Sequence, residues 1–228
     1  MSTKRAASTK GKASSGRRVA GERHPRRASS VVKIAGALAL AIVVLGAIYL
    51  ANRPRGTGPG KYAFQVGSPG PGQAASEFRL PSTTGGTFDL SSARGKTVLL
   101  YFQEGLTCQP CWDQLTAIQR SDPKFKALGI DEVISITSDT LDRLRQKAAD
   151  EGLTTPVLSD PDLKVSAEYQ ANSYGMMGNS RDGHTFILIG PDGTIRWRAD
   201  YGGAPDYTMF VPVDDLIADI AAGAHGAS

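Results

Sequence analysis

The 228-residue chain carries 26 Lys and Arg against 22 Asp and Glu, for a net charge of +4, and holds two cysteines. Its charge is lopsided: residues 1–33 contain ten Lys/Arg and one acid, Glu22, a balance of +9, so the rest sums to −5. The portion able to fold therefore lacks the basic footprint of a nucleic-acid binder, and no nucleic-acid partner is expected.

Residues 1–33 are rich in Ser, Ala, Gly, Lys and Arg. They cannot bury enough apolar surface to offset the entropy of ordering, so a disordered basic tail is expected. The run IAGALALAIVVLGAIYLA, Ile34 to Ala51, has no charge and no proline. As a helix it would extend about 27 Å, near the hydrocarbon thickness of a bilayer. The basic excess lies before this run, with only Arg53, Arg55 and Lys61 soon after it, and by the positive-inside rule the N-terminus is cytoplasmic. Its exit, Ala47-Ile48-Tyr49-Leu50-Ala51, offers no good small-x-small pair, so an uncleaved signal anchor is expected over a removed signal peptide. Arg26-Arg27 lacks the apolar residue that follows in a twin-arginine export signal. The expected placement is a single-pass cell-membrane protein, with the lipid bilayer as a partner and the C-terminal domain extracytoplasmic. Residues 52–73 are Pro/Gly-rich and read as a linker.

From residue 74 apolar runs alternate with turn signals. SEFRLP and GTFDL flank STTGG and predict a β-hairpin, and TVLLYFQ (97–103) predicts a buried central strand. CWDQLTAIQ predicts a helix with Trp112, Leu115 and Ile118 recurring on one face, followed by DEVISITS as a second buried strand. TLDRLRQKAADEG predicts an amphipathic helix ended by Gly152, with Leu141 and Leu144 inward. PVLSD, a helix from PDLKVSAEYQ, the strands HTFILIG and TIRWRAD joined by a PDG turn, and a last helix VDDLIADIAAG complete the chain. This order predicts one α/β domain over 74–228, a mixed sheet covered on both faces.

Both cysteines lie in EGLTCQPCWDQL, residues 104–115. A disulfide across a two-residue gap closes almost no chain, so stabilisation is a weak motive for the spacing. Zinc would find two ligands of four, since no second Cys-x-x-Cys or His pair is present, and no metal is assigned. A redox pair explains more. Cys108 falls between a strand end and a helix start, with Pro110 near the first turn, where a missing amide hydrogen costs nothing. Free amides and the helix dipole favour a thiolate there, which makes the more exposed Cys108 the expected nucleophile. Cys111, one turn in, would then attack the mixed disulfide and release the reduced partner.

From Ala75 to about Ala221 these residues carry a resemblance to the thioredoxin-like superfamily. In particular the chain resembles redoxins related to alkyl hydroperoxide reductase and thiol-specific antioxidant proteins. ASEFRLPSTTGGTFDLSSARGKTVLLYF is similar to that group's opening hairpin, Arg-Gly-Lys and first core strand; HTFILIGPDGTIRWR is similar to its closing hairpin, and CQPC to its Cys-x-Pro-Cys site. The resemblance implies a thioredoxin-like fold and a thiol-disulfide oxidoreductase with no organic cofactor. There are departures. Thr107 stands where thioredoxins place tryptophan, Trp112 follows the second cysteine, and the loop after Phe102 is one residue longer. His184 takes the place of the proline that faces the disulfide, and Tyr101 that of the buried carboxylate. On that superposition His184 lies near the sulfurs, to stabilise the Cys108 thiolate or shuttle protons; otherwise it is a strand-end hydrogen-bonding residue. Glu104, four residues before Cys108, is a second proton-transfer candidate or an ordinary solvated glutamate.

Two other functions compete. Peroxiredoxins hold peroxide with a Pro-x-x-x-Thr-x-x-Cys constellation and an arginine. Aligned on Thr107, this chain has Gln103 at the proline, Pro110 at the cysteine and Val211 near the arginine. Copper proteins of the Sco type use Cys-x-x-x-Cys plus a histidine. Here two residues separate the cysteines and His184 lies closer to the PDG turn, with Met176 and Met177 as soft candidate ligands or plain packing residues. Trp197 reads as core, and YGGAPDYTMF (201–210) as an irregular connection or a partner-docking loop. The favoured reading is an extracytoplasmic, membrane-anchored thiol-disulfide oxidoreductase. Its expected partners are protein thiol and disulfide clients and a membrane thiol-electron carrier.

Overall fold

The computed structural model describes residues 30–51, 55–56 and 60–225, so the expected tail over 1–33 lies almost wholly outside it. The chain divides into two compact units, Met1–Ala51 and Asn52–Ser228. In the first, helix α1 spans Ser30–Ala51, and side chains are described for residues 35–46, all exposed. Among the described residues no helix is long and apolar enough to cross a membrane. The transmembrane anchor expected over 34–51 is therefore not borne out, since the ends of that run lie outside the described side chains.

In the second unit β1 (Arg55–Gly56) and β2 (Phe64–Gln65) precede a separate hairpin of β3 (Arg79–Pro81) and β4 (Thr87–Asp89). Then come β5 (Val98–Phe102), α2 (Gln109–Arg120), α3 (Asp122–Ala127), β6 (Glu132–Thr137), α4 (Leu141–Asp150) and β7 (Val157–Ser159). A short α5 (Lys164–Glu168) leads to the hairpin of β8 (Thr185–Ile189) and β9 (Ile195–Asp200), and α6 (Val213–His225) closes the domain. Among the described residues the main sheet runs β1-β2-β9-β8-β5-β6-β7. Helix-bearing crossovers make β5, β6 and β7 parallel, whereas β8 runs antiparallel to both β5 and β9. This is the mixed, two-faced α/β sheet that the sequence predicts.

Every residue of β5 is buried, because its alternating side chains serve two cores. Leu99 and Tyr101 join Trp112, Leu115 and Ile118 of α2 with Leu216 and Ile220 of α6. Val98, Leu100 and Phe102 join Phe78, Leu90 and Tyr169 on the opposite face. In α4 Leu144 is buried as expected, while Leu141 at the helix start is half-buried. Part of the stretch read as a linker packs on the sheet. Phe64 is buried with its ring 5.3 Å from Tyr201 and 6.1 Å from Trp197, and Gln65 pairs with Asp200. Arg198 and Asp200, both fully buried, meet at 2.9 Å, and Arg198 also donates to the carbonyls of Pro69 and Tyr169. Those bonds fix residues 67–69 beside the end of β8 that carries the site.

Candidate active site

β5 ends at Phe102, and a 3-10 turn over Gly105–Thr107 delivers the chain to α2. Gly105 takes a φ of 78°, and a Cβ there would stand 1.9 Å from Asp139 Oδ2 and 2.2 Å from Thr137 Oγ1. Glycine alone lets the turn lie on the end of β6. The Asp139 carboxylate accepts from Leu106 N at 2.7 Å and from Arg181 Nη1 at 3.1 Å, while Trp112 Nε1 donates to the Gly105 carbonyl at 3.0 Å. The turn is thus clamped from the sheet and from the helix.

Cys108 is the N-cap of α2, and Pro110 stands in the first turn. The two cysteines are joined in a disulfide, with Cα atoms 5.3 Å apart, and Cys108 Sγ accepts from Cys111 N at 3.3 Å. In the dithiol state that amide and the positive helix end favour a thiolate on Cys108. Thr107, Gln109 and Pro110 are exposed around the pair. Cys108 is the more accessible sulfur, as expected, but only by a margin of 4% against 0% exposure. Met209, itself buried, belongs to the same small apolar cluster as the two cysteines. The sequence gives no signal for Met209, a methionine in an aperiodic loop; the 201–210 connection covers the pair.

His184 immediately precedes β8 and is fully buried. Its Nδ1 lies 2.8 Å from the Thr208 carbonyl, which can only accept, so the ring proton sits on Nδ1. Nε2 is then a bare acceptor, buried and with no hydrogen-bond partner. Burial pushes the imidazole down to about 4 against the opposing pull of the Thr208 bond, so the ring is neutral near pH 7. Its centroid lies 5.2 Å from the rings of both Tyr101 and Phe186. The Tyr101 hydroxyl donates to the Cys111 carbonyl at 3.3 Å, and burial, with the charge of Glu104 adding to it, pushes that phenol well up.

Glu104 is buried, which corrects the solvated alternative. Its Oε1 accepts from Met176 N at 2.7 Å and its carbonyl accepts from Arg181 Nη1 at 3.0 Å, tying the 176–181 segment to the turn before Cys108. Met176 and Met177 are exposed and so are not packing residues. Among the described residues no group of three or more His, Cys, Asp or Glu could hold a metal ion. At the peroxiredoxin-pattern positions, Gln103 is buried and donates to Ser135 Oγ at 2.8 Å, and the amide of buried Val211 donates to Gln114 Oε1 at 2.6 Å. The structure therefore joins Cys108 to Cys111, sets His184 against Tyr101, whose hydroxyl reaches the Cys111 carbonyl, and ties Glu104 to the 176–181 segment.

The sequence model of the AhpC/TSA family matches residues 71–198, more than half of the chain. The chain belongs to the AhpC/TSA family. It is 32% identical over 130 residues to a putative peroxiredoxin of Mycobacterium tuberculosis, covering 55% of this chain and 81% of the relative. It is 30% identical over 127 residues to peroxiredoxin Bcp of Escherichia coli K12, covering 54% and 81%. Among solved structures, peroxidoxin BcpB of M. tuberculosis superposes with a TM-score of 0.57 at 19% identity, over 67% of this chain and 97% of that one. Enterococcus faecalis AhpC gives 0.58 at 16% identity, over 69% and 93%. At those identities the structural likeness is one of fold, and it is the thioredoxin-like fold expected from the sequence. As an AhpC/TSA member carrying a Cys-x-x-Cys pair, the protein is a thiol-dependent oxidoreductase.

Proposed function

We propose that the Cys108–Cys111 pair is the redox centre of a thiol peroxidase of the AhpC/TSA type. The Cys108 thiolate attacks the terminal oxygen of a hydroperoxide; the O–O bond breaks, water or an alcohol leaves, and Cys108 carries a sulfenic acid. The Cys111 sulfur attacks that sulfur, the S–S bond forms and the hydroxyl departs as water. One peroxide has then gained two electrons from two thiols, and an external dithiol, itself oxidised to a disulfide, restores the pair. The observation that carries this reading is the bond between Cys108 and Cys111 within one helical turn. The relatives named as peroxiredoxins supply the oxidant, and they favour peroxide over the client disulfide that the sequence alone favoured.

A second reading keeps the pair and exchanges it with client disulfides. It is favoured by Gln103, buried and bonded to Ser135, and by Pro110, which stands where the peroxiredoxin pattern has its cysteine. One preparation separates the two. Peroxide consumption driven by a small dithiol is expected, and is abolished in Cys108→Ser; insulin-disulfide reduction with no peroxide turnover would replace the first reading by the second.

The domain is further proposed to sit outside the cytoplasm on a membrane anchor, served by a membrane thiol-electron carrier and protein thiol partners. The uncharged run 34–51 behind ten basic residues supports this, as do the exposed Leu38, Leu40, Ile42, Val43 and Leu45. On cell fractionation the full chain is expected with the membranes and the chain starting at Asn52 in the soluble fraction. Recovery of the full chain as soluble protein contradicts the anchor.

A further inference from the structure

A buried acceptor with no donor is costly, so such an atom in a native fold calls for an explanation, and a donor that arises in another state of the molecule is one. Nε2 of His184 is such an atom: the ring is fully buried and its Nδ1 proton is committed to the Thr208 carbonyl at 2.8 Å. Two elements that touch the cysteine pair also bracket this ring. Tyr101 lies 5.2 Å from it, centroid to centroid, and donates to the Cys111 carbonyl at 3.3 Å. Thr208, which holds Nδ1, is followed by Met209, which is buried in one apolar cluster with the cysteine pair. A disulfide has no hydrogen to offer. Reduction creates one on Cys111, the sulfur that is fully buried and one turn inside α2.

We propose that His184 Nε2 is the hydrogen-bond and proton acceptor for the Cys111 thiol in the reduced protein. The inference rests on the redox reading of the pair but is indifferent to the oxidant. In the resolving step the Cys111 sulfur attacks the sulfur of Cys108 while its proton passes to Nε2. The electron pair of Cys111 forms the S–S bond, and the bond from Cys108 to its hydroxyl or client sulfur breaks. The leaving hydroxide or thiolate takes the proton from Nε2 and departs as water or a thiol, returning His184 to its neutral form. In the reverse direction a dithiol reductant supplies two electrons and two protons and becomes a disulfide. One proton stays on Cys111, facing Nε2, and the other goes to solvent from Cys108. The neutral ring that burial enforces keeps the Nε2 lone pair available for this role.

The chain has three histidines, so His24→Gln and His225→Gln leave His184 as the sole imidazole. In this full-length chain, labelled with 15N-histidine, the Nε2 resonance is recorded oxidised and after dithiothreitol, with free thiols counted in each sample. The expected result is an upfield shift of Nε2 on reduction, reversed on reoxidation, with Nδ1 remaining the protonated nitrogen in both states. Adding Cys111→Ala should fix the resonance at its oxidised position even under reductant. An Nε2 signal that does not move when two thiols are counted overturns the inference and leaves the redox reading intact, as does a shift that survives Cys111→Ala. A pair that cannot be reduced and reoxidised overturns the redox reading itself.

Discussion

His184 shows at one residue how burial converts a pH-sensitive group into a fixed acceptor. Its imidazole falls from 6.5 to about 4 on folding, chiefly through desolvation. Between those values the unfolded chain binds a proton that the folded chain refuses, so stability is full above pH 6.5 and is lost as pH falls toward 4. A shift of this size is worth up to about 3 kcal/mol. Urea denaturation at pH 7.5 and at about pH 4.5 reads it: the acid-induced loss should shrink by that order in His184→Phe, and an identical loss in both chains excludes His184 as its source. The bonded cysteine pair was legible because its spacing and helix start are local features of CQPC. The environment of His184 was not, since its partner Thr208 lies 24 residues away in a loop without periodicity. The burial of Glu104, read from sequence as a proton-transfer candidate or a solvated glutamate, was hidden for the same reason: the Met176 amide that its carboxylate accepts from is 72 residues distant.

At the scale of elements, hydrophobic pattern carried most of the information. The unbroken run of β5 announced a strand buried on two faces, and the PDG turn announced the β8–β9 hairpin. Two-residue strands fall below what a period of two can reveal, so β2 passed as linker although Phe64 is buried in the core. Arg198 and Asp200 stand two apart on β9 and so share a face. Their full burial was not visible, because it depends on the Gly67 amide and the Thr185 hydroxyl, which also bond Asp200. Removing either charge alone would strand the other in the core, next to the strand end that positions His184. Gly105 lies at the same end of the sheet, just beyond Phe102, which pairs with Thr185, and its φ of 78° lets Asp139 grip the turn before Cys108.

Across the whole molecule, the strongly basic residues 1–33 contrast with a net-acidic remainder, whose folded domain carries one disulfide at the start of α2. Peroxide turnover, client exchange and the proton path through His184 all require the same event, ionisation of the first sulfur before the second. The most direct measurement reduces the full chain, exposes it briefly to limiting iodoacetamide at neutral pH and maps the label by mass spectrometry. Cys108 should be modified first, at least about tenfold faster than Cys111, because a helix-start thiol ionises below the ordinary value of about 8.5. Labelling confined to Cys111, or absent from both sulfurs until the protein is denatured, would contradict a nucleophilic Cys108 and with it the proposed chemistry.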